Sequence, residues 1–495
     1  MQPLPCLRSM TMMRILPAAC VALALATGAA GAGETRTGCP SAAAVAAAYK
    51  GTFFDNDFSY LEGSCEAVKD GKEAEADGRD AVRRATDRLK EIALADRVRL
   101  ALGGELRLRY HNEDGIGRTR LDGLDDQFLL SRVRAYADLH LGSHVRGYVE
   151  LIDARRSGGR QPPRGIEVVR GDILNGFVEL GTALAGGRAY LRAGRQELLF
   201  GAQRLVSPLN WGNTRRNFDG VRIGYRRGAF AIDGWFTNPR TVTGRDRDRN
   251  SRSDFSGVYL SWTGVPGQTL EIYALNLDSD PRGGGGDSNF WTFGIHGKGQ
   301  LGALLWESEN MVQTGTIAGQ NFRATSLTFG LGRALGDLLP LAPTLWLYYD
   351  RASGDGDPDD GRDRTFRQLF PLAHAYFGAM DLVARQNIES LSARLSLRPH
   401  PMLTTLAVFH DFALVRPTDA LYNAGGAPIR RDASGLSGKD IGRELDLILR
   451  LGARSWTTIE FGFARFWAGG FVRATNGPGI SGNADFLYLQ SVFRF

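Results

Sequence analysis

The residues with the most chemical reach in this sequence are arginines set at every second position. In GELRLRYH, Arg107 and Arg109 share a face with Glu105 and His111. In SRVRAYADLHL, Arg132 and Arg134 share one with Tyr136, Asp138 and His140. Arg192, Arg222, Arg394 and Arg450 have matching parity in their own segments, as do the acids Glu179, Glu444 and Asp446. A guanidinium stays charged at any working pH and makes planar, paired bonds with carboxylate or phosphate. Lining a wet channel, such groups would concentrate anions and repel cations. The competing reading is structural, with arginines and acids forming salt-bridge ladders that fill a barrel. The 60 basic residues comprise 54 arginines and six lysines, and only Lys298 and Lys439 of the six lie beyond residue 100.

Little else here could do covalent chemistry. The seven histidines form no zinc spacing, and no G-x-S-x-G occurs. The Gly283–Gly286 run has no following Lys-Ser/Thr, so no phosphate loop is implied. The loop DGDPDDGRD, Asp355 to Asp363, lacks the spaced Glu that ends an EF-hand. A solvated acidic loop is the simpler reading, and calcium binding stays an open question. No catalytic residue, metal or cofactor is expected, and no nucleic-acid partner.

The elements that must position these side chains alternate with a period of two. Opposite the charged face of the first segment stand Leu106, Leu108 and Tyr110. Opposite that of the second stand Val133, Ala135, Ala137, Leu139 and Leu141. In ELDLILRLG, Leu445, Leu447, Leu449 and Leu451 oppose Glu444, Asp446 and Arg450. Successive strand side chains point to opposite sides, so each segment is a strand with one charged and one apolar face. A soluble sandwich alternates too, but the links decide against it. Tight links such as Arg226–Ala229, Val265–Gln268 and Pro399–Pro401 alternate with long polar loops, such as Arg240–Ser253, Ala352–Gln386 and Val415–Ile441. Short turns on one rim and long loops on the other are the pattern of a transmembrane antiparallel β-barrel. Counting from Gly104 to Phe495 predicts an all-β fold of about 18 strands. An even number puts both ends on the short-turn rim. The eight tryptophans mostly fall near predicted strand ends, as an aromatic girdle requires.

Whole-chain properties agree. The chain has 495 residues, net charge +6 and 63 glycines. Its mean hydropathy is −0.22, which a barrel allows because only alternate residues meet lipid. Residues 1–32 read as an export signal. Arg14 precedes the apolar run Ile15–Ala26, and Ala30-Gly31-Ala32 is a cleavage site. Residues 33–100 form a separate periplasmic segment, and 101–495 the barrel. Within that segment Val82, Ala85, Leu89 and Ile92 predict one amphipathic helix over 80–96. Cys39 and Cys65 remain after export, which suggests one disulfide worth roughly 3 kcal/mol; two unpaired thiols are the alternative.

The stretch GRQELLFGAQRLVSPLNWGNTRRNFDGVRIGY, Gly194 to Tyr225, resembles the alginate export family of outer-membrane porins. LFPLAHAYFGAMDLVARQNI (Leu369–Ile388), KDIGRELDLIL (Lys439–Leu449), YKGTFFDNDFSYL (Tyr49–Leu61) and GGELRLRYHNED (Gly103–Asp114) are similar to it as well. FLYLQSVFRF, ending at Phe495, looks like the C-terminal strand that the barrel-insertion machinery recognises in bacterial outer-membrane proteins. The resemblance implies an 18-stranded barrel with an electropositive pore for an anionic uronic-acid polymer. It implies pore roles for Arg192, Arg195 and Arg222, with Glu197 and Asp446 as pairing acids. Parity sets Arg195 opposite Arg192, so the two do not share a face. The two-cysteine segment departs from the simplest members; plugging the pore, trimerising the barrel and neither all stay open.

The expected function is that of a porin in the bacterial outer membrane, not an enzyme. Its arginine-rich pore would pass an acidic polysaccharide such as alginate outward. The alternative is a general uptake channel for small acidic solutes. Expected partners are outer-membrane lipid, the insertion machinery and those anions. A barrel enzyme would need a Ser/His/acid cluster facing the lumen or rim, and an adhesin would need long sticky loops over a closed lumen.

Overall fold

The alternating segments pair into one closed sheet. The computed structural model describes residues 47–61, 81–117, 120–241, 249–250, 252–280, 286–336, 338–454 and 456–495. Among them, 18 long strands run antiparallel to their neighbours. They are β1 (Val98–Asp114), β2 (Asp126–Leu141), β3 (Val145–Gly158), β4 (Val169–Leu184), β5 (Gly187–Gln196) and β6 (Phe218–Arg227). Next come β7 (Phe230–Thr241), β8 (Ser253–Trp262), β9 (Gln268–Ser279), β10 (Ser288–Leu301), β11 (Leu304–Ile317) and β12 (Gln320–Ala334). The last six are β13 (Thr344–Ala352), β14 (Ile388–His400), β15 (Leu403–Leu414), β16 (Asp440–Arg454), β17 (Thr457–Ala468) and β18 (Ala484–Arg494). β1 pairs with β18 and closes the barrel, and Gly104 and Phe495 exchange both backbone hydrogen bonds at 2.8 and 3.1 Å. Closure leaves the lipid no long unpaired edge.

The two rims differ as the link lengths predict, apart from the nine-residue link 335–343 on the short-turn rim and one tight turn on the long-loop rim. On the short-turn rim Ala185 and Gly186 join β4 to β5, both at positive φ (47° and 76°), the turn whose twist suits a two-residue hairpin. Ala318 and Gly319 make a similar turn on the long-loop rim (49° and 78°). Outward side chains are apolar: Leu106, Leu108, Tyr110, Val133, Val149, Leu151 and Val178 are 36–53% exposed. Inward Glu105, Arg107, Arg109, His111, Arg132 and Arg134 are at most 4% exposed.

The lumen is not an open tube. Residues 197–217, between β5 and β6, and 353–387, between β13 and β14, turn inward. Leu198, Leu205, Val206, Phe377 and Met380 pack against wall residues such as Phe218, Phe255 and Phe466. The two loops meet backbone to backbone. Ser207 N–H donates to Phe370 O (2.9 Å), and Phe370 N–H to Leu205 O (2.8 Å). Loops this apolar must bury their side chains, and the barrel interior is where they do so.

Three expectations need correction. The helix predicted over 80–96 is only α1 (Ala81–Asp87), and Ile92–Ala95 is a short strand on β1. The closing pair with the C-terminal end of β18 begins only at Gly104, so the first residues of β1 present an open edge. Residues 89–95 cover it, with Leu102 N–H donating to Leu89 O at 2.6 Å. The aromatic girdle is partial: Trp262, Trp291 and Trp467 face out, whereas Trp235 packs inward on Phe200 and Trp211 lies in the lumen. Trp346 also points inward, stacked on Tyr348, whose hydroxyl reaches Glu307. Third, the long loops are not all solvated polar links, as the inward pair shows. The export signal, Cys39 and Cys65 lie outside the described residues.

Candidate functional site

Antiparallel register sets Arg107 directly across from Arg132, and Glu105 across from Arg134. Arg132 bonds Glu105 at 2.5 Å and Arg134 bonds Glu150 at 2.6 Å. Arg107 is held by neutral oxygens instead, donating to the carbonyls of Asn210 and Gly212, both at 2.7 Å. Arg109 lies 3.8 Å from the Trp211 ring centroid, a cation over an aromatic face. His374 stacks on the same indole at 3.6 Å, and Trp211 Nε1–H donates to Asp381 at 2.8 Å. Among the described residues nothing accepts from Arg109 Nε or Nη1. Asp138, predicted to serve this wall, pairs instead with Arg146 (2.7 Å) and His140 (3.2 Å).

The remaining predicted residues divide by place. Arg192 with Glu179 (2.6 Å) and Arg222 with Asp233 (2.9 Å) continue the inward wall. Arg394 lies over Tyr348 at 4.9 Å, and Arg450 pairs with Glu460 (2.5 Å) toward the short-turn rim. Buried Glu197 accepts from Arg215 and from Asn175 (3.1 Å), 3.9 Å from Arg134. Arg195 does not face the pore. It shares parity with outward Val221 on the neighbouring strand and pairs with Asp219 at 2.8 Å. Glu444 and Asp446 are inward, but among the described residues no arginine bonds them. They accept the backbone N–H groups of Met380 (3.0 Å) and Ala379 (3.2 Å), donors that the folded-in loop brings without partners of its own. Gly378, at φ +89°, packs there so closely that a Cβ would meet the Glu444 carboxylate at 2.4 Å.

The sequence reading missed the loop 197–217 as a strut. Its Arg204 reaches Glu307 (2.7 Å) and Glu309 (2.9 Å) on β11, beside His296, which bridges Glu271 and Glu307. Its other end meets Arg107 and Arg132, so the loop spans from an acidic wall to a basic one. A cavity of about 540 Å³ on the long-loop side is lined by Arg109, Arg120, Arg164, Trp211, Arg216 and Asp381. One of about 600 Å³ on the short-turn side is lined by Lys50, Arg192, Arg222, Arg226, Asp233 and Glu271. Among the described residues Arg216 bonds only carbonyls, those of Ser207 (3.0 Å) and Pro371 (3.4 Å). Burial pushes its pKa down to about 10, which leaves it charged at neutral pH. The missed signal was compositional: LLFGAQRLVSPLNW is too broken by Gly and Pro for a strand yet too apolar for a wet loop.

The acidic loop 355–363 is neutralised locally, by Arg364 on Asp355 (3.3 Å) and Asp360 (2.6 Å) and by Arg367 on Asp363. Among the described residues no group of three His, Cys, Asp or Glu is placed to hold a metal.

A closed 18-stranded barrel with a lipid-facing apolar band and loops folded into a charged lumen defines a porin-type channel of the bacterial outer membrane. The family model described as alginate export matches residues 98–481, and the chain belongs to that family. Solved structures share the fold. The Pseudomonas aeruginosa outer membrane protein OprD is 10% identical, with 82% of this chain and 96% of that one covered at TM-score 0.53. OpdQ of the same organism is 12% identical, with 80% and 97% covered at TM-score 0.54. OccD3 (OpdP) is 13% identical, with 80% and 91% covered at TM-score 0.53. No curated protein matches the sequence.

Proposed function

We propose that this porin is anion-selective and passes an acidic polysaccharide such as alginate outward. One observation carries the reading: where the strut loop meets the charged wall, cations are held by neutral groups. Arg107 and Arg216 rest on carbonyls, and Arg109 rests on an indole face. A ladder built only for structure would match each guanidinium with a carboxylate. Here Arg107, Arg109 and Arg216 bond no carboxylate among the described residues, and positive charge confined between low-dielectric walls attracts anions strongly. The exposed apolar band supports outer-membrane lipid as a partner, and the alternating last strand supports the insertion machinery. Uptake of small acidic solutes is the second reading. It is favoured by the two cavities of about 540 and 600 Å³, sizes that suit a small molecule, with the strut loop between them.

Planar-bilayer recording across a KCl gradient tests the proposal. The expected reversal potential is that of a chloride-preferring pore, and a cation-preferring or neutral value overturns it. Block by oligouronate chains at lower concentration than by the monomer would favour the polymer over the small solute.

A further inference from the structure

The short-turn mouth of the lumen is occupied by the chain's own N-terminal segment. Phe53 and Phe54, in a 3-10 turn (Phe53–Asp55), are each 3% exposed. Phe54 meets Tyr148 edge-on at 5.8 Å and Phe177 at 5.4 Å, and Phe53 meets Tyr136 at 5.6 Å. Over the same two rings lie wall cations, Arg134 at 3.8 Å from Phe53 and Arg192 at 4.5 Å from Phe54. The segment's backbone is held as well. Phe54 O accepts from Arg146 (2.6 Å), and Gly51 O accepts from Arg215 (2.8 Å). Arg215 also holds Glu197 and the Asn210 side chain, so it ties this segment to the strut loop. Behind it Tyr49 packs on Phe58, and Arg83 of α1 bonds the Tyr49 hydroxyl at 2.6 Å.

We propose that residues 47–61 are an intramolecular stopper, which closes the short-turn mouth and is displaced by the anionic solute that passes. The contacts say why an anion would displace it. Each of the four arginines keeps one carboxylate of its own, Glu150 for Arg134, Glu179 for Arg192, Asp138 for Arg146 and Glu197 for Arg215, and to that the segment adds only ring faces (Arg134, Arg192) or neutral carbonyls (Arg146, Arg215). An arriving carboxylate offers their remaining N–H groups a second charged acceptor, and hydrogen bonds between ions are roughly twice as strong as neutral ones. A neutral solute has no such advantage. The displacement half of this inference rests on the acidic-cargo reading, whereas the closure half does not.

The test is single-channel recording of the full-length protein against two variants. In one, Phe53 and Phe54 become Ala; in the other, Phe54→Cys and Phe177→Cys are joined by a short bis-methanethiosulfonate linker, which reduction removes, in a Cys39→Ser, Cys65→Ser background. Heat-modifiable mobility confirms that each is folded. The double Ala variant should raise open probability several-fold, and the cross-linked one should stay closed until reduced. Polygalacturonate on the short-turn side should open the wild type and leave the Ala variant unchanged. A cross-linked channel that conducts like the wild type overturns closure, and so does an Ala variant with wild-type open probability. A wild type indifferent to polygalacturonate overturns displacement. The reversal potential of the opened Ala variant is read separately. A cation preference there would sink the acidic-cargo reading while leaving the stopper standing.

Discussion

Arg107 and Arg132 stand directly opposite each other on β1 and β2, and both donate to the same two backbone oxygens, those of Asn210 and Gly212. Two like charges this close are unfavourable unless something negative lies between them. Glu105 supplies that for Arg132, and carbonyl dipoles do so for Arg107. The pair therefore anchors the strut loop and concentrates positive charge at the same place.

Replacing Arg107 with Gln separates these two roles from barrel stability. Arg107 bonds no carboxylate among the described residues, so its loss strands no acid. Each charge-assisted bond it makes is worth ~1.5–3 kcal/mol, which the loop anchor would lose. The expected outcome is folded, heat-modifiable protein with larger conductance and a weaker anion preference. Arg132→Gln, by contrast, leaves Glu105 with Arg494 at 3.4 Å as its remaining arginine partner, and should lower the urea midpoint as well.

Arg195→Ser is the matching control. Arg195 faces outward beside Asp219 and Asp172, while Arg192, three residues earlier, faces the lumen. Ser at 195 should leave the reversal potential where it was, and Ser at 192 should move it toward cations. Equal shifts from both would contradict the assigned faces.

Alternation made the barrel legible. Each strand carries its own inside and outside, so Arg107 and Leu106 could be assigned without knowing their neighbours. The same reasoning could not see what fills the lumen. Phe218 and Phe255 obey the inward parity but are apolar, and only the loops they pack against explain them. Asp446 was legible as inward, but its partner is a backbone N–H 67 residues away in sequence, which no spacing rule reaches. Helical spacing over 80–96 was real, yet the open edge of β1 captured Ile92–Ala95. Tertiary pairing outweighs propensity in so short a segment.

Lys90 gives that captured segment a pH dependence. Its ammonium is buried between Phe58 and Tyr136 and donates to Leu102 O at 2.7 Å. Burial and the nearby Arg83 push its pKa down to about 7, against an opposing pull from Asp87. Released from the mouth, the lysine would regain its ordinary value near 10.5. Between these two values the released state binds more protons, so docking strengthens as pH rises from about 7. Below about 7 both states are charged and the dependence vanishes. The protection factors of residues 89–102, which are exchange rates corrected for intrinsic base catalysis, should rise between pH 7 and 9, and Lys90→Met should abolish the rise.

Arg204 tests whether the strut loop is fixed at its far end. Its guanidinium is fully buried and contacts Glu307 and Glu309, with Tyr376 below it at 4.5 Å. Replacing it with Met keeps much of the volume but leaves two acids facing a buried gap. His296 and the Tyr348 hydroxyl still reach Glu307, and the Tyr273 hydroxyl still reaches Glu309. Breaking a buried ion pair from one side costs about 3–5 kcal/mol, and these remaining partners argue for the lower end. Arg204→Met should therefore lower the urea midpoint and raise the frequency of conductance fluctuations as the loop tip loosens. Adding Glu307→Gln and Glu309→Gln removes the stranded charges, so the triple variant should recover most of the lost stability. It should not recover quiet conductance, because the loop would still lack its cationic anchor. If Arg204→Met unfolds at the wild-type midpoint, the three side chains are not coupled as described. If the triple variant falls further still, the glutamates serve the wall and not the loop.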